Sequence, residues 1–175
     1  TFGLTLTFVP NMAIKDEDSL RKEAKYVILC KNLVCPDIGY SKLIKMWSKA
    51  AKDGFYYQPR LDFTTLAGLW DEHFMLAVPY YDSFIHNNAF NLGQCSNDFE
   101  SLNTKPVFFV EDNNLPFEPI LTKKVLEYCK SGGYDTLRTQ SIYYKERRHF
   151  TPYLANRCIH NRTVIRKPNL DNLSS

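Results

Sequence analysis

Histidine and carboxylate residues near the middle of the chain are the first candidates for metal chemistry. The four histidines are His73, His86, His149 and His160, and none lies two or four residues from another. A metal site would therefore have to combine distant segments, for example His73, His86 and Asp82. Ordinary hydrogen-bonded or solvated histidines are the alternative interpretation, which the spacing favours.

A pair of carboxylates follows a short apolar segment. Glu111 and Asp112 come directly after Val107–Val110, whose composition is typical of a buried strand. A βα barrel carries its chemistry at the carboxyl ends of its strands, so these two acids are a candidate catalytic pair. A solvated loop without function is the alternative.

The third candidate is a basic segment rich in aromatic residues. Positions 138–175 hold eight Lys/Arg and two acidic residues, whereas positions 1–137 hold fourteen basic and seventeen acidic residues. The run Tyr143–Phe150 interleaves aromatic rings with Lys145, Arg147 and Arg148. Because cations attract phosphate and aromatic rings stack on bases, this segment is predicted to contact a nucleic acid. A helix whose aromatic side chains point into the core is the alternative.

The composition is that of an ordinary globular chain. Its 175 residues are enough for one domain that buries about 70% of its surface. Hydrophobic residues make up 44% and charged residues 23%, which excludes a disordered or collagen-like chain. No apolar run reaches the roughly 18 residues of a membrane-spanning helix. The first residues have the pattern of a strand rather than a signal peptide, and this abrupt start suggests a fragment of a longer chain.

Cysteine usage indicates a reducing compartment. The five cysteines are odd in number and form no Cys-x2-Cys pair. We therefore expect no disulfide framework, and we expect a cytoplasmic, reducing setting. Cys30 lies in an apolar segment and Cys129 in an amphipathic one, so both are predicted to be small buried hydrophobes.

Apolar periodicity predicts the elements that would position these candidates. Strands are predicted at 1–9, 26–30, 74–78 and 107–110, with a further short strand within 135–144. Helices are predicted at 40–52, 63–69 and 119–130, with weaker signals near 83–88 and within 153–165. Asp62 is expected to cap the helix that follows it. The alternation predicts an α/β fold built on a mostly parallel sheet or a barrel.

One segment carries a specific family resemblance. Residues Gly54–Asp62 read Gly-Phe-Tyr-Tyr-Gln-Pro-Arg-Leu-Asp, and they follow Lys31-Asn32, Gly39-Tyr40 and Ser48-Lys49-Ala50. This order resembles the PHP (polymerase and histidinol phosphatase) domain of the DNA polymerase III alpha subunit, a C-family DNA polymerase. There the corresponding segment is Gly-Phe-Tyr-Tyr-Lys-Pro-Arg-Ile-Asp. The resemblance spans nearly the whole chain and is strongest over residues 25–76.

The resemblance implies a fold and a missing part. The expected fold is a single PHP-like domain over residues 1–175, formed as a distorted (βα)7 barrel or an incomplete derivative of it. The first strands of the family, which carry its His-x-His motif, would precede Thr1. The divergence from the family suggests a polymerase of a bacteriophage or of another fast-evolving replicon.

The resemblance also implies that a metal site has degenerated. Family members bind metal ions through His, Asp, Glu and Cys, and the matching positions here are Thr5, Lys25, Tyr80, Ser141 and Tyr143. Hydroxyl and phenol groups are poor metal ligands, and an ammonium group repels a cation. No metal, cofactor or catalytic residue is therefore expected.

The implied function is support of a polymerase during DNA replication in a bacterial or phage-infected cell. Metal-free domains of this family pack on other polymerase domains and can dock the proofreading exonuclease. DNA, other polymerase domains and the exonuclease subunit are the expected partners. The candidate contact residues are Tyr57, Arg60, Arg147, Arg148, Arg157, Arg162, Arg166 and Lys167.

Two other functions stay open. The first is an active metal-dependent phosphoesterase or 3'-5' exonuclease with replacement ligands such as Glu111, Asp112, His73 and His86. The second is a stand-alone nucleic-acid- or protein-binding module that uses the basic segment 138–175.

Overall fold

The chain consists of two compact units. The computed structural model describes residues 2–31, 36–160 and 162. The first unit covers 1–139 and the second 140–175. The boundary lies two residues after position 138, where the basic segment begins.

The first unit is an α/β fold built on a six-stranded sheet. The strands are β1 (Gly3–Phe8), β2 (Ala24–Cys30), β3 (Arg60–Leu61), β4 (Phe74–Val78), β5 (Val107–Val110) and β6 (Thr136–Arg138). Their order in the sheet is β3-β1-β2-β4-β5-β6. The predicted α/β class is confirmed. Within the described residues β3 and β6 are the sheet edges, and no pairing between them closes the sheet.

One strand runs against the other five. β2 pairs antiparallel with both β1 and β4, whereas the pairs β1–β3, β4–β5 and β5–β6 are parallel. Five strands therefore share one direction, and the sheet is mixed rather than parallel throughout. The alternation of apolar residues is the same in either direction of a strand, so the sequence pattern carried no information on this reversal.

The larger helices of the first unit cover one face of the sheet. These helices are α2 (Pro36–Lys52), α3 (Phe63–Ala67), α4 (Phe84–Phe90) and α5 (Glu118–Gly132), and a four-residue helix α1 (Glu17–Leu20) precedes them. Buried residues of α2 to α5 form one hydrophobic cluster with Leu6, Ile28 and Phe108 of the strands. The strand residues in this cluster are at alternate positions along each strand, and alternate positions point to the same face of a sheet. The cluster therefore lies on one face.

Local signals explain where the helices begin and end. The Asp62 side chain accepts a hydrogen bond from the Thr65 backbone N–H (2.8 Å), so the predicted cap of α3 is confirmed. Gly133 ends α5 in the left-handed conformation (φ +64°), which glycine adopts at little cost. α2 begins at Pro36, four residues earlier than predicted, because proline is tolerated in the first turn of a helix.

Aromatic rings fill the centre of the cluster. Phe8, Tyr26, Phe63, Phe84, Phe99 and Phe108 are all buried. Their contacting ring centroids lie 5.1–6.4 Å apart, mostly in edge-to-face geometry, which is favourable for aromatic pairs. Cys30 and Cys129 are buried as predicted.

The second unit contains one helix, α6 (Phe150–His160), within its described part. A 3-10 turn at Arg147–His149 precedes this helix. The helix begins three residues before the predicted range. The predicted turn towards Ile165 lies outside the described residues. No helix in the described part of the chain is long and apolar enough to cross a membrane.

Candidate functional site

The carboxyl ends of β1, β3, β4, β5 and β6 and the amino end of β2 lie at one edge of the sheet, here called the carboxyl rim. Lys25, the second residue of β2, lies at this rim. Its Nζ is 2.6 Å from Asp82 Oδ2, and its backbone N–H donates to the Asp82 carbonyl oxygen (2.8 Å). Lys25 therefore brings a positive charge to the rim, and a carboxylate from the segment after β4 balances it.

A cavity of about 300 Å³ lies beside this ion pair. Its lining includes Lys25, Asp82, Arg21, Glu23 and Asn87. The Asn87 amide donates to the backbone oxygens of Glu23 (2.9 Å) and Asp82 (3.3 Å), which joins the start of β2 to α4. The cavity thus has charged groups of both signs, and its amide side chain is engaged in holding the surrounding backbone.

Tyr80 is the residue that the predicted resemblance aligns with a cysteine ligand. Its side chain is 1% exposed, and burial raises its pKa. The hydroxyl donates to the Glu118 carbonyl oxygen (3.0 Å) and lies 2.7 Å from Thr122 Oγ1. The phenol therefore ties the end of β4 to the first turn of α5.

Glu118, at the start of α5, organises the loop that follows β5. Its carboxylate accepts hydrogen bonds from the Tyr81 hydroxyl and from the backbone N–H groups of Asn113 (2.9 Å) and Leu115 (2.9 Å). Burial favours a raised pKa for Glu118, but these hydrogen bonds outweigh it and the pKa is lowered. Glu118 was not among the predicted site residues, although its position before Pro119 at the start of a periodic helix was a usable signal.

The histidine set considered for metal binding is not brought together. His73 precedes β4 and Asp82 follows it, so a five-residue strand of about 17 Å separates their backbones. His73 Nδ1 lies 3.1 Å from Asp71 Oδ1, and His86 Nδ1 lies 3.1 Å from Asn87 Oδ1. Each histidine has its own local partner at a different place in the fold.

The carboxylate pair after β5 also has neighbours within the protein. Glu111 is buried, and its Oε2 accepts a hydrogen bond from the Asn113 side-chain amide (3.2 Å). Asp112 is exposed, and its Oδ2 lies 3.9 Å from an Arg138 nitrogen. In the part of the chain that the structure describes, no three His, Cys, Asp or Glu residues are grouped so that they could hold a metal ion.

Of the other positions that the resemblance aligns with metal ligands, one lies in the first unit and two in the second. Thr5 is in the middle of β1, opposite Val27, with an exposed side chain. Ser141 and Tyr143 belong to the second unit. Within the first unit, the carboxyl rim therefore carries Lys25 and Tyr80 from this set, each engaged with another residue of the protein.

Arg60, a predicted contact residue, is buried in the first unit. Its side chain is 0% exposed, and its guanidinium donates to Gly54 O (3.2 Å), Ser19 Oγ (2.9 Å) and Ile14 O (3.0 Å). It also lies 3.5 Å from Glu23 Oε1. A guanidinium enclosed in this way holds loops together, so the prediction that Arg60 itself touches a nucleic acid or partner is wrong.

Tyr57 lies at the tip of the loop that Arg60 supports. Tyr56 and Gln58 form a bridge on either side of it, and the Arg60 guanidinium lies 4.9 Å from the Tyr56 ring centroid. Tyr57 has a φ of +59° and a side chain that is 78% exposed. It is accessible to a partner, as a contact residue must be.

The basic candidates belong to the second unit. Arg147, Arg148 and Arg162 are exposed, and Arg157 is half-buried. Arg148 Nε lies 2.7 Å from Glu146 Oε2. The other two candidates, Arg166 and Lys167, lie outside the described residues.

Comparison with known proteins shows a similarity to a polymerase subunit. No family model matches the chain. The DNA polymerase III subunit alpha of Aquifex aeolicus (strain VF5) is 25% identical to it over 114 residues. This similarity covers 62% of the chain but 10% of the polymerase subunit. The chain thus spans about a tenth of the length of this curated relative.

Proposed function

We propose that the chain is a non-catalytic PHP-like domain of a replicative DNA polymerase, acting in a bacterial or phage-infected cell. In this role it would support the polymerase fold and dock other polymerase domains or a proofreading exonuclease. The similarity to a polymerase III alpha subunit supports the polymerase assignment. The central observation for a non-catalytic role is that Lys25 and Tyr80, at family ligand positions, are engaged in internal contacts.

Metal analysis tests the non-catalytic part of this proposal. The full chain would be incubated with zinc or manganese, dialysed and analysed for bound metal and for phosphodiester hydrolysis. Metal well below one equivalent per chain and no hydrolysis are expected. One tightly bound equivalent would overturn the proposal. So would a metal-dependent phosphodiesterase activity that is lost in Glu111→Ala.

We also propose that the sheet is part of the wall of a distorted seven-stranded βα barrel. The supporting observation is that α2 to α5 pack on one face, as helices do around a barrel. Strand residues on the other face, including Val27, Leu29, Met75 and Phe109, are half-buried and do not belong to the helix-covered cluster. An experimental structure of the product of the complete reading frame tests this. A sheet that stays open there would contradict it.

An apolar stripe on α2 supports the docking role. Tyr40, Ile44 and Trp47 follow one another at helical spacing and are about half exposed. Phe2, also half exposed, extends the stripe because its ring centroid is 5.3 Å from that of Tyr40. We propose that this stripe packs on the apolar surface of an adjacent polymerase domain.

Two measurements test this docking. A reading frame that continues into a polymerase palm domain with its catalytic carboxylates is expected, and its absence would overturn the polymerase assignment. Hydrogen exchange of α2 would then be compared between this chain and the complete gene product. Slower exchange in the complete product is expected, because docking covers the stripe. Equal exchange would contradict docking through α2.

A second proposed function is nucleic-acid binding by the second unit. The specific observation in its favour is that Arg147, Arg148 and Arg162 are exposed in a unit with seven Lys/Arg and two acidic residues. Such a charge balance attracts phosphate and makes binding weaken as salt is raised. The affinity of the full chain for DNA, measured over a series of salt concentrations, tests this. An affinity that does not change with salt would contradict it.

A further inference from the structure

The second unit presents three tyrosine rings side by side. The ring centroid of Tyr153, in α6, is 5.6 Å from the centroids of both Tyr143 and Tyr144. Tyr153 is half-buried, whereas Tyr143 and Tyr144 are 47% and 40% exposed. Tyr144 also contacts Phe150, with centroids 5.8 Å apart. These three tyrosines, here called the tyrosine platform, thus consist of two accessible rings held by a third.

Positive charge lies next to the platform in the sequence. Lys145, Arg147 and Arg148 follow Tyr144 almost directly and are all exposed. Arg148 is paired with Glu146. Within the described residues, neither Lys145 nor Arg147 forms an ion pair. Among the described residues no carboxylate therefore pairs with these two cations, and both can contact an anionic ligand.

We propose that the tyrosine platform, with Lys145 and Arg147, is a binding site for single-stranded nucleic acid. This inference rests on the second proposed function and specifies its ligand. Bases would stack on Tyr143 and Tyr144 while the two cations contact phosphates, a combination that tolerates any base sequence. Bases within a duplex already stack on one another, so exposed rings select a single strand. Contact with Tyr153 already restricts the two rings, so they lose less conformational entropy when a base binds.

Fluorescence anisotropy with the full chain tests the site. The probe is a labelled oligothymidylate longer than the roughly 4–16 nucleotides of a typical single-strand site, and the comparison is a duplex of the same length. The single strand is expected to bind more tightly, with an affinity that falls as salt is raised. Tyr143→Ala combined with Tyr144→Ala should weaken single-strand binding at least about tenfold, because each stacked base contributes substantially.

Matched variants separate stacking from other effects. Tyr143→Phe with Tyr144→Phe keeps both rings and should bind like the unmodified chain. Phe90→Ala removes an aromatic ring of similar exposure (37%) from the first unit and should also leave binding unchanged. Lys145→Ala with Arg147→Ala should lower the salt dependence, because fewer phosphates are neutralised. Circular dichroism melting of each variant establishes that it is folded.

Each other outcome has a distinct meaning. Equal binding of single strand and duplex, unaffected by the alanine pair, would overturn the platform but leave nucleic-acid binding in place. The phenylalanine pair keeps both rings and lacks only the two hydroxyls. If it loses as much affinity as the alanine pair, stacking is overturned. No salt-dependent binding to either probe would overturn both this inference and the second proposed function.

Discussion

Aromatic and charged side chains play different roles in the two compact units. In the first unit, aromatic rings form the buried centre of the core, and the charged groups Arg60 and Glu118 are enclosed by hydrogen-bond partners. In the second unit, Tyr143, Tyr144 and Arg147 are exposed. Because the same residue types occur in both, burial rather than composition separates the structural role of the first set from the binding role proposed for the second.

The largest expected effect is the loss of a ring from the buried cluster. Phe108 is 1% exposed and contacts Phe84 and Phe99. Phe108→Ala should lower the free energy of unfolding by about 3–5 kcal/mol, because it removes buried apolar surface and leaves a cavity. Urea unfolding followed by circular dichroism measures this. Tyr144→Ala is the matched control from the second unit and should cost less than about 1 kcal/mol. Equal losses of stability in the two variants would contradict the difference between the buried and the exposed rings.

Removal of the enclosed guanidinium is expected to cost somewhat less. Arg60→Met should destabilise the protein by about 3 kcal/mol, because Glu23 loses its charged partner and several oxygens lose a donor. Arg60→Lys should recover little, since an ammonium cannot reproduce the planar fork. Urea unfolding compares the two variants with Arg147→Ala, which should be nearly neutral. A neutral Arg60→Met would show that the buried contacts contribute nothing.

The loop held by Glu118 should make stability depend on pH. The pKa of Glu118 is lowered in the folded protein from its ordinary value of 4.5. The stabilisation is therefore complete above pH 4.5 and is lost as the pH falls through the lowered value. Glu118→Gln should destabilise the protein by about 2 kcal/mol at neutral pH, because a charged acceptor is lost. Urea unfolding at several pH values measures both proteins, and their difference should shrink towards acid. A constant difference would contradict the proposed role of the charge.

The smallest expected effect is a gain in stability. Tyr26 is buried in the aromatic cluster, and within the described residues its hydroxyl has no hydrogen-bond partner. Burial raises its pKa well above the usual range for tyrosine. Tyr26→Phe should stabilise the protein by about 1 kcal/mol, because it removes an unsatisfied polar group and keeps the ring. Thermal melting measures this, and a marked loss of stability would indicate a partner for the hydroxyl.

Strong local sequence patterns were sufficient to predict much of the secondary structure of the first unit. The strands at 74–78 and 107–110 have the predicted bounds, because each is an apolar run with clear polar or proline boundaries. β3 was missed, since two residues are too few to display any periodicity. The direction of β2 was also missed, because a strand pattern has no polarity.

The interaction partners within the candidate site could be predicted less well from the sequence. The Lys25 position was predicted to be unsuitable for metal binding, but its pairing with Asp82, which joins residues 57 positions apart, was not predicted. The motif around Arg60 led to the expectation of a surface contact, yet the fold encloses that side chain. A residue type indicates which interactions are available, whereas the partners depend on how distant segments pack.

The sequence alone determined the α/β class, the positions of the main helices and strands, and the concentration of positive charge after residue 138. These features follow from short-range periodicity and from simple counting of charges. Three features depend on the packed fold: Arg60 is buried, Lys25 pairs with Asp82, and Tyr143 and Tyr144 stay exposed while they contact Tyr153. Each of these depends on contacts between separate segments, because burial and ion pairing are properties of the packed chain.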